Sequence, residues 1–246
     1  MVRAAGTILQ AGMVKRSATT AVAPLTSVQY LAELAGVAPG DRVLDAGCGV
    51  GGPAIAIASN VPGVVIDGVT ISEVQVTMAR TFVTEAGLAD RVRVHLGDFH
   101  RLPFPDESFD VALYFEVTCY SPDRAALYRE SARVLKPLGT VYVKDVFRQE
   151  DPLTEQQGRS LASYDELWAC TSTPTLSETE EAMRAAGFTS IHVREYPFID
   201  TAHHYESMVS RDEGGVRLNE FGEAFLRFFP KLPLFFAEVK ARKQGN

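Results

Sequence analysis

Residues 43–54, VLDAGCGVGGPA, are the stretch on which the prediction of the fold depends. A short apolar run typical of a buried strand ends at Ala46. Gly47, Gly49 and Gly52 follow in GxGxxG spacing, and the sequence then becomes helix-forming. Glycines allow a tight turn and let a ligand approach the backbone where a Cβ atom would clash. The stretch therefore predicts a strand, a ligand-binding loop and a helix, although several classes of cofactor share this spacing.

Strand-like and helix-like runs alternate beyond this stretch, which predicts an α/β fold doubly wound around a mostly parallel sheet. A further helix is predicted after Phe115, with Ser121 as its N-cap and Pro122 at its first position. The other predicted strands are GVVIDGVTIS (63–72), RVRVHLGD (91–98), FDVALYFE (109–116), GTVYVKDVF (139–147), SIHVREYPF (190–198) and a last strand around Phe235.

The alternation of strands and helices is interrupted once. Residues 148–177 are polar with an aromatic centre, and we interpret them as a small helical or loop cap inserted over one edge of the sheet. Residues 1–27 are predicted to form a flexible arm or lid, and residues 28–246 to form a single domain.

Composition excludes several functional classes. The 246 residues are 46% hydrophobic and carry a net charge of −7, which suits a globular protein and argues against nucleic acid as a partner. Three cysteines without a CxxC pair argue against a disulfide framework or structural zinc and fit the reducing cytoplasm. No apolar run reaches the ~18–20 residues that span a bilayer, so membrane insertion is not expected. A small-molecule substrate remains.

Two carboxylates narrow the choice of cofactor. Asp45 lies two residues before the first glycine, where it would repel the diphosphate of a dinucleotide but would tolerate the zwitterionic, sulfonium-bearing S-adenosylmethionine (SAM). Asp98 ends a predicted strand in a Gly97–Asp98 pair that can accept a hydrogen bond from an adenine amino group. A nicotinamide oxidoreductase and a non-catalytic SAM-binding module are the alternatives from other classes.

Four motifs in order carry a resemblance to a known family: VLDAGCGVGG, GVTISEVQ, GDFHRLPFPDESFD and RVLKPLG. Over about residues 28–147 the chain resembles the class I SAM-dependent methyltransferases, which implies a Rossmann-like methyltransferase sheet. GVTISEVQ and EVTCYSP also resemble the branch that contains sterol, tocopherol and prenyl-diphosphate C-methyltransferases.

The resemblance implies a set of cofactor-binding residues around the predicted glycine loop and strand ends. Thr70 stands where many relatives have an acid that holds the ribose. Asp67 lies in mid-strand, and we do not expect it to take that role. The cofactor-binding set is Asp45, Gly47, Cys48, Gly49, Thr70, Gln75, Gly97, Asp98, Phe99 and Phe115.

Glu116 is the predicted catalytic residue, because it stands where a buried strand ends on the ligand side of the sheet. Methylation of an alkene leaves a carbocation on the neighbouring carbon, which a carboxylate can stabilise and then deprotonate. A structural hydrogen-bonding role for Glu116 is the alternative. Tyr120 is expected to orient the substrate or to pack beside the helix start.

The predicted function is C-methylation of an isoprenoid alkene, with a short prenyl diphosphate as one candidate, and O- or N-methylation of a secondary metabolite is the alternative. Mg²⁺ would assist a diphosphate substrate, but no motif specifies a metal site. The aromatic C-terminal stretch is compatible with a homo-oligomer. Substrate contacts are expected from Arg148, Tyr164, Trp168, His203 and His204, for which a solvated surface is the alternative.

Overall fold

The computed structural model describes residues 32–196, 209–212, 215–218 and 232–245. Within these residues, seven strands form one sheet in the order β3-β2-β1-β4-β5-β9-β6, and β7 pairs separately with β8. The strands are β1 (Arg42–Ala46), β2 (Val65–Thr70), β3 (Val92–Leu96), β4 (Phe109–Phe115), β5 (Leu135–Arg148), β6 (Phe188–Tyr196), β7 (Val209–Asp212), β8 (Gly215–Leu218) and β9 (Leu234–Lys243).

Strands β1 to β5 pair in parallel, and β9 runs antiparallel between β5 and β6. The predicted doubly wound, mostly parallel sheet is therefore confirmed. The helices that the structure describes with defined bounds are α1 (Gly52–Asn60), α2 (Glu73–Glu85), α3 (Arg124–Val134), α4 (Glu155–Trp168) and α5 (Leu176–Ala185).

Strand β4 lies in the middle of the sheet and is apolar along nearly its whole length, because both of its faces are covered. Successive side chains alternate between two cores. Leu44 and Tyr114 belong to one core cluster, whereas Val43 and Leu113 belong to the other. The parallel strands end at a common edge, so the residues that follow β1, β2 and β4 are brought together there.

The predicted N-cap of the helix after β4 was wrong. Helix α3 begins at Arg124, and the Asp123 carboxylate caps it by accepting a hydrogen bond from the N–H of Ala126 at 2.8 Å. Asp123 satisfies a free N–H of the first turn, so Ser121 is not needed there. The Ser121 hydroxyl instead lies 2.8 Å from Nε2 of His100.

Helix α4 lies within the segment that was predicted as a cap. Thr154 and Gln157 form a capping box at its start. Leu161 and Tyr164 of this helix pack against a small apolar cluster of Val146, Leu234 and Phe236. The predicted arm at residues 1–27 lies outside the described residues. Across the residues that the structure describes, none of the helices combines the length and apolarity needed to cross a membrane.

The buried Asp67 is a structural residue of β2. Its carboxylate accepts hydrogen bonds from Arg42 at 3.0 and 3.3 Å and lies 2.8 Å from Nε2 of His95. It pairs in register with Leu44 in mid-strand, away from the strand end where a ribose would lie.

The substitution Asp67→Asn is expected to reduce the free energy of unfolding by about 1–3 kcal/mol, because it leaves buried polar groups poorly paired. Urea denaturation followed by circular dichroism measures this change. The folded variant should bind SAM as the wild type does, and a large loss of SAM affinity without a loss of stability would assign Asp67 to the cofactor instead.

Candidate active site

The glycine loop after β1 is tied to the neighbouring strand and to the turn after β4. The N–H groups of Gly47 and Cys48 donate to the carbonyl of Val69 at 2.8 and 3.0 Å. Gly47 has φ +80°, and a Cβ atom there would lie 2.7 Å from Cγ1 of Val117. Only glycine fits this position. Val117 directly follows Glu116, so the loop and the predicted catalytic residue are packed side by side.

The far side of the same loop is open. Gly49 has φ +54°, and a Cβ atom there would meet no atom within 4 Å. The side chain of Cys48 points away into a small buried cluster with Val76 and Ala79. Only the backbone of Cys48 and Gly49 is therefore left to meet a cofactor, as the sequence predicted for a loop of this type.

Asp45 is a buried carboxylate beside this loop, with 1% of its surface exposed. In the described part of the chain its Oδ2 has no hydrogen-bond partner. Burial raises the pKa of Asp45 to about 7, against a smaller lowering by the backbone N–H of Ala54. A buried acid with one oxygen unpartnered is costly alone and is suited to a cationic ligand, so the site fits the positively charged SAM.

Thr70 and Gln75 come together at the end of β2. The hydroxyl of Thr70 donates to Oε1 of Gln75 at 2.6 Å, and Ser72 caps the helix α2 that carries Gln75. Both predicted cofactor residues therefore form one polar pair where relatives place an acid. A hydroxyl and an amide can still bind ribose hydroxyls.

Asp98 and His100 connect the predicted adenine end of the site with the turn after β4. Oδ1 of Asp98 accepts from the N–H of His100 at 2.8 Å and lies 2.7 Å from its Nδ1. Burial alone raises the pKa of Asp98, but these bonds outweigh it and lower that pKa below its usual value. The sequence had not singled out His100, whose Nε2 meets Ser121. No sequence signal distinguishes it from a surface histidine.

The remaining predicted cofactor residues are Gly97, Phe99 and Phe115, which lie at or just after the ends of β3 and β4. Phe99 packs against the core with its ring 4.7 Å from His100 and 6.3 Å from Tyr114. A Cβ atom on Gly97 would lie 3.2 Å from the side chain of Val69. Phe115 is buried and meets Tyr142 edge-on at 6.2 Å, so its side chain belongs to the core beneath the site.

Glu116 begins the turn after β4 in the left-handed region, with φ +55°. It is one of five non-glycine residues with positive φ in the described structure. Its N–H donates to the carbonyl of Lys144 at 2.8 Å, and its carboxylate accepts a hydrogen bond from the Lys144 ammonium. The side chain of Glu116 is 26% exposed, whereas that of Lys144 is 1% exposed. Glu116 thus has a partly accessible carboxylate that is paired with a buried cation.

Lys144 and Asp145 are site residues that the sequence analysis missed. Asp145 accepts from the N–H and hydroxyl of Thr118 at 2.8 and 2.6 Å and from the N–H of Val146 at 2.8 Å. Burial raises the pKa of Asp145 to about 6, although the Thr118 bonds lower it. Two charged residues inside the apolar run VYVKDVF were the sequence signal that would have found them.

Aromatic residues and thiols surround Glu116. Burial raises the pKa of Tyr120 to about 12, and the negative charge of Glu116 contributes to that rise. Burial also raises the pKa of Tyr164, and several acidic groups, with Glu116 the smallest contributor among them, add to that rise. The ring of Trp168 lies 6.3 Å from that of Tyr164. The free thiol of Cys119 also lies in this turn. A hydrogen bond with the Cys170 thiol raises the pKa of Cys119 most, and burial raises it further.

Arg148 is already engaged elsewhere. Its guanidinium bonds Glu178 at 3.2 Å and Asp151 at 3.3 Å. This arrangement gives Arg148 a structural role beside α5, and a substrate role would require these pairs to open. His203 and His204 lie outside the described residues. The described residues contain no group of three side chains suited to hold a metal ion.

A family model described as a methyltransferase domain matches residues 44–143, from β1 into β5. A sterol 24-C-methyltransferase of Gibberella zeae is 42% identical over 127 residues, which cover 50% of this chain and 33% of that protein. Residues 44–143 therefore match a methyltransferase domain, and this part of the chain is similar to SAM-dependent methyltransferases. Among relatives of this kind, the chain spans between 30% and 44% of the length of the curated protein.

Two solved structures resemble this chain over most of its length. A geranyl diphosphate C-methyltransferase of Streptomyces coelicolor A3(2) superimposes with a TM-score of 0.74, at 21% identity over 88% of this chain and 78% of that one. The [4+2]-cyclase SpnF superimposes with a TM-score of 0.67, at 26% identity over 89% of this chain and 80% of that one. The fold is therefore established, and the reaction must be argued from the site.

The affinity of the protein for SAM is expected to rise about tenfold between pH 6 and pH 8. Asp45 is largely protonated below its pKa of about 7 and ionised above it, and the positive charges of SAM favour the ionised form. Isothermal titration calorimetry measures the effect. In the Asp45→Asn variant the affinity should be weaker at pH 8 and nearly independent of pH. An unchanged pH dependence in that variant would mean that another group causes it.

Proposed function

We propose that this protein transfers the methyl group of SAM to an alkene carbon of an isoprenoid, with Glu116 stabilising the resulting carbocation and accepting its proton. The observation that carries the proposal is the position of Glu116, whose carboxylate is held on the buried Lys144 beside the glycine loop. Support also comes from the similarity to sterol C-methyltransferases over half of the chain.

The cofactor end of the site fits this proposal. We infer that Asp45, the backbone of Cys48 and Gly49, and the Thr70–Gln75 pair hold the amino-acid and ribose parts of SAM, and that Asp98 and Phe99 flank the adenine. When bound, SAM supplies an electrophilic methyl group on a sulfonium. Val117 packs on Gly47, so Glu116 is kept next to the loop that would hold this group.

The acid is suited to carbocation chemistry because of its surroundings. The new carbon–carbon bond would form from the π electrons of the acceptor as the sulfur–methyl bond breaks, with its electron pair going to the sulfur of the departing S-adenosylhomocysteine. A positive charge is then left on the adjacent carbon of the acceptor. A nearby carboxylate stabilises that charge strongly where water is scarce. The rings of Tyr120, Tyr164 and Trp168 add apolar contact and cation–π stabilisation of about 0.5–2 kcal/mol each. Proton loss to Glu116 then regenerates an alkene.

The proposed acceptor is an apolar alkene, either a sterol-like molecule or a short prenyl diphosphate. An apolar and aromatic cluster that includes Phe236 and Tyr164 lies beside the Lys144 that holds Glu116, and Arg148 is paired with acids. A diphosphate would need cations from outside the described residues, where His203 and His204 remain the candidates, with or without Mg²⁺. The free thiols fit the cytoplasm, which we keep as the proposed compartment. A homo-oligomer also remains a prediction.

Transfer of label from methyl-labelled SAM to a panel of acceptors tests the proposed function. The panel contains a sterol, isopentenyl, dimethylallyl, geranyl and farnesyl diphosphates, and several phenols and amines, each with and without Mg²⁺. Label in a carbon–carbon bond of an isoprenoid is the expected result. Label on oxygen or nitrogen would replace the proposed reaction with O- or N-methylation, and cyclisation without transfer would replace it altogether.

The substitution Glu116→Gln is expected to reduce turnover about 10²- to 10⁴-fold, because the amide neither carries the negative charge nor accepts the proton. SAM affinity, measured by calorimetry, should change by less than about twofold. Glu107→Gln is a matched control, since Glu107 also has φ +55° but lies on the surface before β4. Turnover of the Glu116→Gln variant equal to that of the Glu107→Gln variant would remove the carboxylate from the mechanism.

A further inference from the structure

We propose that Lys144 is a positioning residue that keeps the carboxylate of Glu116 ionised and aimed into the site. The inference rests on the proposed function, in which Glu116 acts as an anion. Lys144 lies in the middle of the sheet on β5, directly in register with Phe115 of β4. Its side chain reaches the ligand side of the sheet edge beneath Glu116.

Lys144 is buried to an extent that is rare for a lysine without a specific partner. Its ammonium meets the carboxylate of Glu116 and lies 4.6 Å from the centre of the Phe236 ring. Burial raises the free energy of an ammonium unless a negative charge compensates it. The face of the Phe236 ring also attracts the ammonium, but more weakly than a carboxylate does. The pair with Glu116 therefore explains why a charged side chain occupies a position where an apolar side chain would cost less free energy of burial.

The backbone of the same lysine fixes the other end of the glutamate. The N–H of Glu116 donates to the carbonyl of Lys144 at 2.8 Å. Lys144 thus holds Glu116 at both its main chain and its carboxylate. This double contact restrains a residue whose left-handed backbone conformation is otherwise unfavourable.

Acidic groups on β5 and β9 lie next to the Lys144 cation. Asp145 lies next along β5, and its negative charge and that of Glu116 disfavour each other. Glu238 of β9 is in register with Lys144, and it is held by the hydroxyl of Tyr142 and by Arg194 at 2.8 Å. Lys144 therefore lies among these acids, and its positive charge offsets theirs.

The remaining titratable groups near Glu116 do not supply that cation. Tyr120 and Cys119 in the turn after β4 and Tyr164 on α4 are groups whose pKa is raised, so they are neutral at physiological pH. The thiol of Cys170 lies beside Cys119. Lys144 is a cation in direct contact with this carboxylate.

The test compares the variants Lys144→Met, Lys144→Arg and Lys136→Met. Methionine keeps much of the length of the side chain without its charge, and arginine keeps the charge. Lys136 is a matched control on the same strand, since it pairs with Asp110 at 2.8 Å at the opposite end of β5. The measurement is the pH dependence of methyl transfer to whichever acceptor the label panel identifies, together with calorimetric binding of S-adenosylhomocysteine.

In the Lys144→Met variant the acid limb of the pH–rate profile is expected to move to higher pH by about 1–3 units, because an opposite charge at contact distance is lost. Lys144→Arg should lie closer to the wild type, and Lys136→Met should match it. Affinity for S-adenosylhomocysteine should be retained in all three variants. A Lys144→Met profile that coincides with that of the wild type would overturn the proposal.

A measurement of folding stability tests the same proposal without the need for a methyl acceptor. If Lys144→Met alone unfolds or melts at lower temperature, the double variant Lys144→Met/Glu116→Gln should recover stability, because the carboxylate that has lost its Lys144 partner is removed. Failure of the double variant to recover would show that Lys144 serves other neighbours and would overturn the proposal. Absence of any methylated product, by contrast, would count against the proposed function and leave this stability comparison decisive for Lys144.

Discussion

The contact between Gly47 and Val117 is the constraint on which the geometry of the site depends. A glycine at φ +80° leaves room for the Val117 side chain and for no Cβ atom of its own. This contact packs the loop after β1 against the turn after β4, and backbone hydrogen bonds join the same loop to Val69 at the end of β2. Three strand ends are thereby held together, so cofactor and acceptor would share one cleft.

Charge is distributed unevenly across this cleft. Asp45 lies buried at the cofactor end without a partner for Oδ2 in the described structure, whereas Glu116 is bound to a buried ammonium. Asp145 has three neutral donors instead of a cation. These three carboxylates therefore meet three different environments, and burial raises the pKa of both Asp45 and Asp145. Under the proposed function, a cationic ligand would partner Asp45 and the charge of Glu116 would act on the acceptor.

The fold and the reaction are determined at different levels. The same arrangement of strands occurs in a geranyl diphosphate C-methyltransferase and in a protein named as a [4+2]-cyclase. The glycine loop provides only a place where a ligand can approach the backbone closely. The turn from Glu116 to Tyr120 carries an acid and a phenol beside that loop, and side chains of this kind, rather than the fold, decide a reaction.

The sequence by itself determined the alternation of strands and helices, the glycine loop and Glu116 at a strand end, because these depend on local periodicity and backbone freedom. The antiparallel β9 beside β5, the cap of α3 on Asp123 and the bridging role of His100 depend on contacts distant in the chain. The tertiary structure alone decided that Lys144 meets Glu116. Two residues 28 positions apart become ion partners only when parallel strands come into register, since register is set by the packing of the whole sheet.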